Sequence, residues 1–123
     1  MCGIFGIVPF KTVKPSTLKI LVNQSMQRGV DSSGVYLINN GKHYISRASY
    51  PLDKLINQIN IKGCTFIAGH SRLITNSSED NQPIKRDSII ALHNGIIVNH
   101  NSIWEKINSK PQYLSLIHIS EPT

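Results

Sequence analysis

The sequence predicts an α+β fold built as an antiparallel sheet with helices on one face. Three observations predict it. Strand segments outnumber helical ones, the strands are joined by hairpin signals, and the elements run β, α, β-hairpin, α, β, loop, β.

Residues 2–8 read as a buried strand at the very start of the chain, where termini ordinarily fray. Pro15 and Ser16 open a helix whose Leu18, Leu21, Val22, Ser25 and Met26 recur at helical spacing, and Gly29 sits where it would stop. Val35–Ile38 and His43–Ser46 read as strands joined by a turn at Asn39-Asn40-Gly41. Pro51 and Asp53 start a short helix carried by Leu52, Leu55, Ile56 and Ile59, and Cys64–Ala68 is another buried strand. From His70 to Pro83 the chain reads as a polar loop. Ser88–Leu92 and Ile96–Val98 are apolar strand segments broken at Asn94-Gly95, and a third helix is expected from about Ser102 to Asn108, burying Ile103, Trp104 and Ile107. Leu116 to Thr123 reads either as a strand cut short by Pro122 or as a translated adapter, so residues 113–123 form a tail of doubtful origin. No internal repeat or low-complexity segment is present.

With 123 residues, 40% of them hydrophobic and 16% charged, the chain suits one folded domain with a modest core. The 13 basic and 7 acidic residues leave a net charge of +6, which raises the question of nucleic acid. The basic residues are scattered from Lys11 to Lys110, with no run beyond Lys85-Arg86 and no interleaved aromatics, so no nucleic-acid partner is expected. Two cysteines make no disulfide framework, and without a CxxC or a Cys/His cluster no metal or cofactor is expected. The apolar start lacks a basic flank and is too short to be a signal or a membrane span, so a cytoplasmic protein with a reduced Cys2 is expected.

Four short stretches carry candidate chemistry. Once Met1 is removed, Cys2 holds a thiol and a free amine on one residue, with ordinary pKa values of about 8.5 and about 8. That amine can take the thiol proton without a separate histidine; the alternative is a structural strand cysteine. Arg28 to Gly34 makes a tight polar turn, or a helix cap followed by a loop. In Gly69-His70-Ser71-Arg72, the arginine stands where a strand ends and can fork onto a carboxylate, while His70 reads as structural. In His93-Asn94-Gly95, an amide and a backbone N–H can meet a developing oxyanion, or the pair can be a type I′ hairpin turn.

Taken in order, Met1 to Ile7, Arg28 to Gly34, Gly69 to Arg72, Asn81-Gln82-Pro83 and Leu92 to Asn99 resemble the class II glutamine amidotransferase domain shared by asparagine synthetases and glucosamine-6-phosphate synthases. The resemblance spans the chain as far as Lys106 and assigns residues 1–112 to the N-terminal part of such a domain. It implies an N-terminal-nucleophile hydrolase fold, with antiparallel sheets stacked between helical layers. Cys2 would be the nucleophile, with Asn94 and Gly95 as the oxyanion hole and Arg72 on the glutamine α-carboxylate. Leu73, Thr75 and Asn76 would line the glutamine pocket, and Arg28 and Gly29 would support the free amine. The implied reaction is thioester formation, ammonia release and hydrolysis to glutamate.

Several positions depart from the family pattern. Val30 stands where a proline or aromatic residue often follows the Arg-Gly pair. Ile96 looks like the sugar aminotransferases, whereas Asp31 to Gly34 looks like the asparagine synthetases, so the ammonia acceptor stays open between a keto-sugar phosphate and an activated carboxylate. The aspartate that binds the glutamine amine in the family has no match in Ser115 to Thr123. The resemblance therefore implies a truncated domain whose partners are glutamine and an absent C-terminal synthase or sugar-aminating domain. A non-catalytic remnant or interaction module is the alternative. No membrane partner is expected, and the sequence leaves open whether the protein is a homo-oligomer.

Overall fold

The structure, a computed structural model, describes residues 2–73, 81–95 and 98–107. In chain order these form β1 (Cys2–Ile7), α1 (Pro15–Met26), β2 (Ser32–Asn39), β3 (Lys42–Ala48), α2 (Leu52–Asn57), β4 (Cys64–Arg72), β5 (Ile84–Arg86), β6 (Ile89–Ala91) and α3 (His100–Ile107). β1 to β4 build a four-stranded antiparallel sheet in the order β1-β4-β2-β3, and β5 and β6 form a separate two-stranded ribbon.

Local chemistry sets most of these elements. Pro15 occupies the first turn of α1, where its missing N–H costs nothing, and Leu18, Val22 and Ser25 bury one helical stripe. Asn40 and Gly41 both take positive φ, 53° and 76°, as the two central residues of a type I′ turn require, and the loop closes on the Asn39–Lys42 pair. Side chains alternate across a sheet, so the register sorts the two faces. Phe5, Gly69 and Val35 stand side by side on one face, as do Ile7, Ile67 and Leu37. That face packs with Leu18 and Val22 of α1 and Leu52 and Leu55 of α2 into the hydrophobic core.

Three expectations need correcting. β4 does not stop at Ala68 but continues through Gly69-His70-Ser71 to Arg72, because it is flanked on both sides by strands that satisfy its backbone. The expected strand Ser88–Leu92 contracts to Ile89–Ala91, because it folds back on Ile84–Arg86 around Asp87, whose φ is 53°. α3 begins at His100 and buries none of its residues: Ile107 is 53% exposed, since its apolar side meets no described part of the core. Val98 lies in a turn. Ile96, Asn108 and the tail 113–123 lie outside the described residues.

Leu18 is fully enclosed by the core, whereas Ile20 on the same helix is 62% exposed. Leu18→Ala is expected to cost about 2–5 kcal/mol. Ile20→Ala should stay within about 0.5 kcal/mol of wild type. Urea unfolding of the two variants measures the difference; equal losses would mean that α1 does not pack as described.

Candidate functional site

The sheet face turned away from the helices is polar at one end. There Cys2 on β1, Arg72 on β4 and Ser32 on β2 are direct cross-strand neighbours, and one pleat further along lie Ile4, His70 and Gly34. Cys2 is 6% exposed, Ser32 and Arg72 1%, and His70 is fully buried. The strand ladder thus sets a thiol beside a buried guanidinium without help from any loop.

The segment that follows the undescribed stretch 74–80 returns over this face. Asn81 is anchored to the sheet by its Nδ2, which donates to the carbonyls of Ser33 at 2.8 Å and Ala48 at 2.9 Å. The Ser32 hydroxyl donates to Asn81 Oδ1 at 3.4 Å. Arg47 Nε donates to the Pro83 carbonyl at 2.9 Å. Between these anchors the backbone of Gln82 lies so close to β2 that a Cβ on Gly34 would fall 1.6 Å from the Gln82 carbonyl oxygen. Only glycine fits there.

Gln82 then holds the chain that follows β6. Its Nε2 donates to the His93 carbonyl at 3.0 Å and its Oε1 accepts the His93 N–H at 2.6 Å. The next residue, Asn94, accepts the backbone N–H of Cys2 on its Oδ1 at 3.4 Å, across 92 positions of sequence. Asn94 is not among the residues with positive φ, so Asn94-Gly95 is not a type I′ turn.

The structure therefore brings Cys2, Arg72 and Asn94 together, with Gly95 next in line. Gly29 packs against the end of β4: a Cβ there would fall 2.3 Å from the Leu73 nitrogen, and its carbonyl accepts the Ser71 hydroxyl. Arg28 is exposed beyond α1, and Leu73 is 48% exposed just past β4. Thr75 and Asn76 lie outside the described residues. Sequence reading missed any task for Gln82, although Asn81-Gln82-Pro83 stood out as a motif. Gln82 donates and accepts through its side chain toward a segment 11 residues away, and no local pattern announces such a bond.

Burial pushes the Cys2 thiol up from its ordinary range, against the positive charges of the amino terminus and of Arg72. Burial, and then the Arg72 charge, hold His70 down at about 4, so its imidazole is neutral at neutral pH. Neither His70 ring nitrogen has a hydrogen-bond partner among the described residues. Among the described residues no group of three or more His, Cys, Asp and Glu side chains converges in a way that could hold a metal ion. No described helix is long and apolar enough to cross a membrane.

The chain is similar to glutamine–fructose-6-phosphate aminotransferases (isomerizing). It is 34% identical to that of Agrobacterium fabrum over 116 residues, covering 89% of this chain and 19% of the relative. Against the enzyme of Bartonella quintana it is 34% identical over 113 residues, covering 87% of this chain and 18% of the relative. Against that of Chlamydia trachomatis it is 29% identical over 116 residues, covering 89% and 19%. The chain thus spans about a fifth of the length of the curated relatives it matches, and the match falls on their N-terminal part. No family model and no solved structure matches the chain.

The depressed His70 ties stability to pH. Between about 4 and 6.5 the unfolded chain binds a proton that the folded chain refuses, so this contribution is complete above 6.5 and is lost as the pH falls toward 4. The full loss is on the order of 3 kcal/mol. Urea unfolding across this window should show the slope, and His70→Asn, which cannot titrate, should flatten it by one proton; an unchanged slope would refute the assignment.

Proposed function

We infer that this chain, a relative of the class II glutamine amidotransferases through the N-terminal part they share, releases ammonia from glutamine with Cys2 as nucleophile. The observation that carries the reading is the meeting of three groups from distant parts of the sequence: Cys2 paired with Arg72 in the sheet, and the Cys2 nitrogen on Asn94 Oδ1 at 3.4 Å.

On this reading Met1 is removed and the Cys2 nitrogen becomes a free amine, which takes the thiol proton as Sγ attacks the side-chain amide carbon of glutamine. With its Oδ1 engaged by that amine, Asn94 turns Nδ2 toward the developing oxyanion, joined by the Gly95 N–H. Collapse of the tetrahedral intermediate breaks the C–N bond as the Cys2 ammonium gives its proton to the amide nitrogen, which leaves as ammonia, and a thioester remains. Water then attacks the thioester to give glutamate and the free thiol. Arg72 offers its planar fork to the α-carboxylate, Leu73, Thr75 and Asn76 line the pocket, and Arg28 and Gly29 support the amine.

In this proposal residues 1–112 are the first part of an N-terminal-nucleophile hydrolase domain, with the four-stranded sheet, α1 and α2 as one sheet and one helical layer. The relatives' name joins glutamine to fructose 6-phosphate, which favours a keto-sugar phosphate as ammonia acceptor, handled by chain beyond this one. The cytoplasm, which keeps Cys2 reduced, is the setting that suits it.

The test is glutamate release from glutamine by the processed full-length protein. Cys2→Ala should abolish it; equal rates in the two proteins would sink the proposal. Asn94→Ala should lower kcat by about 10²–10³-fold with little change in KM. Arg72→Lys, which loses the two-pronged contact, should chiefly raise KM. A protein that keeps Met1 has its amine locked in an amide and should be inactive.

A further inference from the structure

We propose that Gln82 is a positioning residue for the oxyanion-binding pair, holding Asn94 and Gly95 at the distance from Cys2 that the reaction needs. The inference rests on the glutaminase reading above and goes beyond it, because Gln82 touches neither Cys2 nor the substrate on that reading.

The bonds argue for it. Asn94 and Gly95 lie in no strand or helix of the structure. Their nearest fixed point is His93, and there the main chain is gripped on both sides by one side chain: Gln82 Nε2 on the carbonyl and Gln82 Oε1 on the N–H. Gln82 has no exposed surface, so water does not compete for either bond. Gln82 is itself fixed by its two neighbours, Asn81 on the Ser33 and Ala48 carbonyls and Pro83 on Arg47, and by its close seat over Gly34. A rigid path thus runs from the central strands through Gln82 to His93 and ends at Asn94. Oxyanion stabilisation is steep in distance, so a shift of about 1 Å suffices to cost up to 10²-fold.

The experiment compares wild type, Gln82→Met and Gln82→Glu in the processed full-length protein. It reads kcat and KM for glutamine hydrolysis beside the rate at which iodoacetamide alkylates Cys2. Alkylation consumes the thiolate but passes through no oxyanion, so it reports an intact nucleophile alone. Gln82→Met should lower kcat by about 10–100-fold, less than deleting a donor outright, while KM and the alkylation rate stay within about threefold of wild type. Gln82→Glu keeps an acceptor for the His93 N–H and has a donor for the His93 carbonyl only when protonated. Its kcat relative to wild type should therefore rise as the pH is lowered from about 8 to about 6.

Unchanged kcat in Gln82→Met overturns the inference. So does a parallel fall in kcat and alkylation, which would mark Gln82 as merely structural. If Gln82→Met does not fold, the pH trend of Gln82→Glu decides, and a flat trend overturns the proposal. A wild-type protein that releases no glutamate instead overturns the glutaminase reading.

Discussion

Strand β4 is paired on both flanks, with β1 on one side and β2 on the other, and core and site alike depend on that double pairing. Alternation sends Ile67, Gly69 and Ser71 toward the helices, and Ala68, His70 and Arg72 to the opposite face. A slip of one residue would drive a guanidinium into the apolar core and withdraw Ile67 from it, at a cost no contact elsewhere repays. The position of Arg72 beside Cys2 is therefore held by the same free energy that holds the core. The site inherits its precision from the sheet.

The opposite face meets a different demand. Six polar or nucleophilic groups, Cys2, Ser32, His70, Arg72, Asn81 and Gln82, are almost fully buried there. Such a cluster is costly to bury and is kept only where most of its members find partners. Asn81 and Gln82 find theirs in main-chain groups of Ser33, Ala48 and His93. His70 meets the demand differently, by shedding its proton. Gly34 makes this packing feasible, since any side chain would lift the Gln82 backbone off β2 and loosen the path to Asn94.

What could be read from the sequence follows the physics of each element. Hydrophobic period and turn chemistry are local, so β1, α1, the β2–β3 hairpin and α2 were all legible in advance. The end of β4 was not. Gly69-His70-Ser71-Arg72 is polar because one face of it looks into the site, and polarity imitates a loop. The two Asn-Gly pairs make the same point. Asn40-Gly41 has positive φ at both residues and turns a hairpin, while Asn94-Gly95 reaches across the molecule to Cys2. The dipeptides are identical, and only the tertiary contact separates the turn former from the residue that meets Cys2. Cys2, Arg72 and Asn94 were singled out by their residue types and order, whereas Gln82 works through bonds to a distant main chain that no spacing rule encodes.

The electrostatics of Cys2 bear on which group removes its proton. Burial works against the thiolate, and of the two positive groups that oppose burial one is Arg72. On the glutaminase reading Arg72 binds the α-carboxylate of glutamine, and a bound carboxylate cancels most of its field at the thiol. Arg72 therefore helps the thiolate least when substrate is present, the moment at which the nucleophile must act. The other positive group is the amino terminus, and after Met1 is removed it belongs to Cys2 itself. The amine keeps both its short path to Sγ and its hydrogen bond to Asn94 while the pocket fills. It sits on the same residue as the thiol, so the proton can pass onto the amine as Sγ attacks and then to the amide nitrogen, which leaves as ammonia. Arg72 is thus suited to binding and the amine to proton transfer, a division of labour that follows from where the substrate's own charge must sit.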